Sequence, residues 1–280
     1  MINNKIIYVL IGVLFNTPIC FSENADSLLI DSLLHKSADS HFHTAGDCIM
    51  FFAEAFEGVP YKSGTLDTGV TESLVVRTDS LDCTTYVETV LALYLASKKH
   101  NPGYKDYVES LQQIRYRGGV VNGYVSRLHY FSDWVKDNEA KNILCERTND
   151  NTHDVRVFSL NYMTEHAGLY RQLRDNDSLL CEMRKIETKW ENIEMSYIPK
   201  NNLCLSESEL KIKDGDILSL TTNISGLDVV HLGFASWIDG HLHLLHASSL
   251  HGKVVTDPLS LFDYLKDKKK HTGVRVIRVK

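Results

Sequence analysis

The chain is 280 residues long, with 30 Lys and Arg, 36 Asp and Glu, and a formal net charge of −6. That balance argues against a nucleic-acid partner, because neutralising phosphates needs a basic surface. No repeat, low-complexity tract or Pro/Ser/Gly-rich linker divides the sequence, which predicts one elaborated domain rather than two small ones.

Residues 1 to 22 open with Lys5, continue through the apolar run Ile6 to Phe15 and close on "TPICFS". This is the charged start, short apolar core and small-residue exit of a secretory signal. The expected mature chain therefore begins near Glu23 and is exported. Pro18 and Ile19 precede Cys20 where lipid attachment favours small residues, so ordinary cleavage is expected. No later stretch approaches the roughly 20 apolar residues of a membrane helix, so no transmembrane anchor is expected.

"LDCTTYVETVLALYL" places Cys83 where a polar loop becomes a helix, since Val87, Val90, Leu91, Tyr94 and Leu95 recur at helical spacing. Asp82 reads as the residue that starts this helix. Excluding Cys20 leaves five cysteines, Cys48, Cys83, Cys145, Cys181 and Cys204. An odd number in an exported chain leaves at least one thiol unpaired, and the pairing of the rest is open. In the first turn of a helix the free N–H groups and the dipole favour an anion, which predicts a lowered thiol pKa and a nucleophile at Cys83. A buried structural cysteine or a disulfide half is the competing reading.

From about Lys98 to Lys200 the sequence is richer in charged and aromatic residues and reads as helices and loops, including "YKDYVESLQQIRY" and "YMTEHAGLYRQL". Within it, "SRLHYFSDW" gathers Arg127, His129, Tyr130 and Trp134. Flat rings and fixed donors in such a mixture suit a sugar-peptide. A helix with an aromatic core face and a solvated polar face explains the same spacing.

From Asp214 onward, "DGDILSL", "LDVVHLGFASWI", "HLHLLHAS" and "GVRVIRV" read as strands. Asp239-Gly240 between two of them signals a two-residue hairpin turn. That turn pairs Ile238 with His241 and puts His231 diagonal to His246 on one face, with His241 and His243 on the other. A thiol with two such histidines makes a Cys-His-X triad, in which His231 takes the proton of Cys83 and His246 fixes the His231 ring. Gly233 and Ala235 beside His231 are expected to leave room for the Cys83 helix. An exposed or merely satisfied histidine is the alternative for either position.

Taken in order, "GVPYKSGTLD", "LDCTTYVETVLAL", "GDILSL", "DVVHLGF" and "LLHAS" resemble the NlpC-type superfamily of cell-wall cysteine peptidases and amidases. The segments "GGVVNGYVSRLHYFSDWVKDN" and "SYIPK" resemble a particular branch, the N-acetylmuramoyl-L-alanine amidase-like family, first filed as a domain of unknown function. The resemblance spans about Gly46 to the end. It implies an α+β fold with a papain-like core, an N-terminal helix carrying the cysteine packed on an antiparallel sheet, and a helical insertion. It also implies Cys83, His231 and His246 as catalytic residues. Tyr61 matches a tyrosine that helps position the scissile carbonyl, although a core aromatic after Pro60 reads equally well. The insertion residues Arg127, His129, Tyr130 and Trp134 would form a substrate wall.

The implied reaction is hydrolysis of the amide joining N-acetylmuramic acid to L-alanine in peptidoglycan or muropeptides, with no metal or cofactor. The Cys83 N–H, at the helix start, is the natural oxyanion donor. Such an enzyme would recycle or trim wall fragments, in a periplasm. Three rivals stand beside it. One is an endopeptidase cutting within the stem peptide. Another is a zinc hydrolase using His241 and His243, whose spacing suits a metal but which lacks an HExxH motif and an evident third ligand. The last is a non-catalytic wall-binding module.

Overall fold

The computed structural model describes residues 25–67, 69, 71–150 and 154–280, so the expected signal at 1–22 and Cys20 lie outside the described residues. In chain order the elements begin with α1 (Ala25–Ala38), α2 (Ala45–Glu54), α3 (Cys83–Ser97), α4 (Tyr104–Arg115) and α5 (Phe131–Ala140). Then come β1 (Leu144–Glu146), β2 (Val155–Phe158), α6 (Tyr162–Glu165), α7 (Asp177–Glu187), β3 (Ile193–Ser196) and β4 (Ile198–Pro199). The C-terminal part holds α8 (Glu207–Leu210), β5 (Ile217–Thr222), β6 (Val229–Ile238), β7 (His241–Ser248), β8 (Lys253–Thr256), α9 (Leu261–Lys266) and β9 (His271–Val279).

The main sheet runs β1-β9-β5-β6-β7-β8, with β4 also paired to β9, and its ladders are antiparallel. Together with the helices this makes an α+β fold. The hairpin turn behaves as its sequence requires: Asp239 and Gly240 both take positive φ, at 49° and 77°, the conformation of a type I′ turn. Ile238 faces His241, and the ladder continues to Phe234 opposite Leu245. Beyond that point β7 runs against β8, from Leu245 to Ser248.

Strand alternation divides the core in two. Ile217, Leu232, Phe234, Leu245 and Ala247 face a layer built from α1 to α4. Leu218, Leu220, Ala235, Leu242 and Leu244 face α9, through Leu261 and Leu265. The central element of the first layer is α3, buried on nearly every side from Thr85 to Ala96 rather than along one stripe. Tyr86 on α3 meets Phe234 edge-on, with ring centroids 5.5 Å apart.

Two features of the middle stretch differ from the expected helical insertion. Helix α4 belongs to the main core, contributing Tyr107, Leu111 and Ile114, and β1 extends the main sheet along β9. Helix α5 also joins the main core, through Phe131, Trp134 and Val135, and the elaboration with its own core comprises α6, α7 and the β2–β3 pair, around Tyr124, Tyr130, Phe158, Met163, Leu173 and Met195. Valines and aromatics spaced for strands lie inside it, and tertiary pairing rather than local propensity decides their state. A tertiary cap ties α5 to the sheet: the Ser132 N–H at its start donates to Asp228 Oδ2 at 2.7 Å, immediately before β6.

Candidate active site

Cys83 is the first residue of α3, and the local sequence fixes it there. Asp82 Oδ1 accepts from the Thr85 N–H at 2.8 Å, and Thr85 Oγ1 accepts from the Asp82 N–H at 2.9 Å. This reciprocal capping box satisfies two of the donors that a helix start leaves over, and such a cap contributes about 1 kcal/mol. The Cys83 N–H, as the first helical donor, has no intrahelical acceptor.

His231 Nε2 lies 2.5 Å from His246 Nδ1, with the rings nearly perpendicular. The pair sits just past the end of the β6–β7 ladder. Beyond it, His246 Nε2 is 3.5 Å from Asp257 Oδ2 in a site where both side chains are fully buried. His231 Nε2 is thereby occupied, and Nδ1 is the nitrogen left to act on a thiol.

Cys83 and His231 line one cavity of about 200 Å³, together with Val87, Leu128, Phe131 and the segment from Leu227 to Leu232. The approach differs from the one expected. Gly233 and Ala235 do not admit the Cys83 helix: their face packs on α9, and a Cβ at Gly233 would meet Leu244 Cδ1, Leu245 O and His246 Cβ within 2.9 Å. The glycine makes room for the neighbouring strand and for His246 itself. Helix α3 packs on the opposite face, against Leu232 and Phe234. The thiol and the histidine share the cavity near the start of β6 instead, where the Leu232 N–H donates to the sulfur.

The electrostatics also overturn the expectation of a lowered thiol pKa. Burial pushes Cys83 up to about 11, with the Asp82 carboxylate adding to the rise. Hydrogen bonds from Leu232 and Thr84 work in the other direction and do not outweigh it. Burial, and then the His246 neighbour, pushes His231 down to about 3. His246 is depressed to about 4, again first by burial. Desolvation penalises whichever form is charged, so the resting pair is a neutral thiol and a neutral imidazole. A helix start contributes too little to reverse that at this part-buried sulfur.

The remaining sequence candidates divide. His129, Tyr130 and Trp134 line the same cavity as Cys83. His129 Nε2 donates to the Tyr124 carbonyl at 2.9 Å, which leaves Nδ1 as an acceptor, and burial pushes its pKa to about 3. Trp134 stacks on Phe131 at 5.3 Å, and its buried Nε1 has no protein partner among the described residues. The Tyr130 hydroxyl is committed elsewhere: it donates to Glu187 Oε1 at 2.6 Å and accepts from the Met163 N–H. Tyr130 therefore offers the cavity its ring and not its hydroxyl.

Arg127 does not line the Cys83 cavity. It lines an adjoining one, with Asp67, Asp82 and Tyr124, that shares Thr84, Glu88 and His129 with the first. Its guanidinium is paired with Asp67 at 2.5 Å and lies 3.5 Å from Glu72. Tyr61 is half-buried against the same core as Cys83, and burial followed by the neighbouring thiolate charge raises its pKa.

Two carboxylates in the cavity escaped the sequence reading, Glu88 and Asp228. Glu88 lies one turn and a half along α3 and forms a buried pair with Arg115 at 2.6 Å. Asp228 carries the cap on Ser132. The only sequence signals were an acid inside an apolar helix and an acid directly before a strand. Asp257, behind His246, had none.

All five described cysteines are free. His241 is exposed, and His243 donates from Nδ1 to the Asp257 carbonyl at 2.9 Å. Among the described residues, no three or more His, Cys, Asp or Glu side chains gather as metal ligands do.

The family model described as N-acetylmuramoyl-L-alanine amidase-like matches residues 51–274. A solved N-acetylmuramoyl-L-alanine amidase from Bacteroides uniformis is 40% identical, with a TM-score of 0.80, covering 84% of this chain and 99% of its own. A Bacteroides fragilis structure described as a candidate xylanase is 42% identical over 81% of this chain and 99% of its own, with a TM-score of 0.77. A Legionella pneumophila protein reaches 26% identity and a TM-score of 0.68, over 90% of this chain and 94% of its own. No curated protein matches the chain. With a helix-borne cysteine, a strand-borne histidine pair and a family match that runs from α2 to β9, the chain belongs to the N-acetylmuramoyl-L-alanine amidase-like family.

Proposed function

We propose that the protein is a cysteine amidase that hydrolyses the bond between the lactyl group of N-acetylmuramic acid and L-alanine in peptidoglycan or its fragments. The observation that carries this reading is the 2.5 Å contact between His246 and His231, which lines the same cavity as Cys83. A free thiol beside an imidazole whose second nitrogen is held by another group is the arrangement that nucleophilic acyl transfer needs. It also supports the finer placement in the NlpC-type superfamily with a papain-like core.

Because thiol and imidazole rest neutral, the proton leaves as the sulfur attacks. Cys83 Sγ bonds to the lactyl carbonyl carbon while its proton passes to His231 Nδ1. The resulting oxyanion is met by the Cys83 N–H. The imidazolium then gives its proton to the departing nitrogen of L-alanine, the C–N bond breaks, and a thioester remains. Water, losing a proton to His231, attacks that thioester and releases the muramic acid carboxylate and the free thiol. Tyr61 flanks the sulfur on the side of the Pro60 turn, where it positions the carbonyl. Within the cavity lining, Trp134 Nε1 supplies a donor and His129 Nδ1 an acceptor for the sugar and peptide groups.

A glycoside hydrolase would need two carboxylates free to act as acid and base. The two in this cavity are engaged, Glu88 with Arg115 and Asp228 with the Ser132 N–H. The reading places the enzyme outside the cytoplasm, in a periplasm, on the strength of the charged start and apolar run at 1–22. Mass analysis of a defined disaccharide-peptide after incubation tests the bond. Release of an intact stem peptide with free L-alanine at its N-terminus is expected. Cleavage within the stem would establish an endopeptidase instead.

A further inference from the structure

Behind the histidine pair lies a carboxylate whose placement decides which nitrogen of His231 is basic. Asp257 follows β8 and is 2% exposed. It is pinned from three sides: its N–H donates to the Leu244 carbonyl at 2.9 Å, its carbonyl accepts from His243 Nδ1 at 2.9 Å, and its Oδ1 accepts from the Leu259 N–H at 3.0 Å. That leaves Oδ2 aimed at His246 Nε2, 3.5 Å away. Both atoms are buried, and among the described residues no hydrogen bond satisfies either one elsewhere. His251 Nε2, on the turn between β7 and β8, approaches the same oxygen at 3.4 Å from a partly exposed position.

We propose that Asp257 is a positioning residue of the hydrolytic site, holding His246 in the tautomer that makes His231 Nδ1 the basic nitrogen offered to Cys83. The inference rests on the amidase reading of the Cys83 site. Its logic is a chain of donors and acceptors. An ionised carboxylate only accepts, so it draws the His246 proton to Nε2. His246 Nδ1 is then a lone pair, which accepts from His231 Nε2–H across the 2.5 Å contact. With its proton committed to Nε2, His231 carries its lone pair on Nδ1. Were the His246 proton on Nδ1 instead, His231 Nε2 would have to accept it, and the proton of His231 would sit on Nδ1, where no base for the thiol remains. The geometry around Asp257 thus selects the productive arrangement two residues away.

The other titratable groups facing this chain are His251 on the turn, Tyr264 of α9, whose ring is 5.7 Å from that of His246, Lys268 between α9 and β9, and His271 at the start of β9. None of them reaches His246 Nε2 as a competing acceptor. The carboxylate is therefore the group that sets the tautomer.

The test uses the exported chain labelled with 15N-histidine. At pH 8, two-bond proton–nitrogen correlations are expected to show His231 and His246 both protonated on Nε2. A His246 ring protonated on Nδ1 overturns the inference. Asp257→Asn is then expected to lower kcat on the order of 10²- to 10⁴-fold, with KM within threefold, as the loss of an orienting carboxylate does elsewhere. The same variant should move the His231 proton to Nδ1, a change that simple loosening of the loop would not produce. A variant that keeps kcat within threefold of wild type overturns the inference equally. If Asp257→Asn does not fold, the tautomers of the wild-type rings decide alone. If wild type releases no product from the disaccharide-peptide, the amidase reading fails, and the nitrogen spectra still judge the tautomer chain by itself.

Discussion

The neutral resting pair makes a prediction that separates it from a preformed thiolate–imidazolium pair. Cys83 held near 11 is a thiolate in only about one molecule in 10⁴ at pH 7, against a few per cent for a free cysteine. A thiolate of higher pKa is intrinsically more nucleophilic, with a Brønsted slope near 0.4–0.5 that returns roughly tenfold of the roughly 300-fold deficit. The net expectation is alkylation by iodoacetamide some 20- to 30-fold slower than a free thiol at pH 7, apart from steric access. The slope with pH is independent of access and is the sharper readout. The rate at Cys83 should climb about tenfold per pH unit from pH 6 to 9, a rise of roughly 10³. Cys181 and Cys204 are exposed, so the modification is followed on the Cys83 peptide by mass spectrometry. In the same assay His231→Ala should change the profile little, because the resting imidazole does not hold the thiol proton. A flat rate between pH 5 and 8 that collapses in His231→Ala would refute the reasoning and restore an ion pair.

Other expectations follow from the same geometry. His246 is fully buried and its folded pKa is about 4, against about 6.5 unfolded. The unfolded chain binds more protons below pH 6.5, so stability is full above that value and falls as pH drops towards 4. The loss is about 3 kcal/mol, and urea midpoints at pH 7 and pH 4.5 should show a smaller drop in His246→Gln than in wild type. Tyr130→Phe leaves Glu187 and the Met163 N–H without their shared hydroxyl and should cost about 1–3 kcal/mol in chemical denaturation, with KM changed less than threefold. Arg115→Met strands the Glu88 carboxylate inside α3 and should cost about 3–5 kcal/mol, as breaking a buried pair does; the double replacement with Glu88→Leu should recover most of it. Hydrolysis should persist in excess EDTA, measured by product release, whereas a zinc enzyme using His241 and His243 would stop.

The legible part of this molecule was periodic or capped. Asp239-Gly240 sets a two-residue turn, and from that turn alone the register of Phe234 to Leu245 follows, together with the diagonal contact of His231 and His246. Asp82 before Cys83 marks a helix start, because a short acceptor side chain satisfies a free N–H there. What the sequence concealed depends on burial and on long-range contact. Gly233 signals a close approach without saying of what, and the approaching group is His246 rather than a helix. A thiol at a helix start reads as activated until the surrounding Leu232 and Val87 bury part of it. Tyr130 reads as a ligand for sugar until Glu187, 57 positions along, claims its hydroxyl. Asp257 falls in a Thr-Asp-Pro turn with no pattern that links it to a histidine eleven residues before it. Pairings of this kind are set by tertiary packing, to which local spacing is blind.

The central claim is that the sulfur of Cys83 is the nucleophile for amide hydrolysis, and Cys83→Ala measures it directly. A purified disaccharide-peptide is incubated with wild type and with the variant, and the products are followed by mass. Wild type should release the stem peptide while the variant binds the substrate and releases none. Turnover by the alanine variant at a rate near that of wild type would contradict the account.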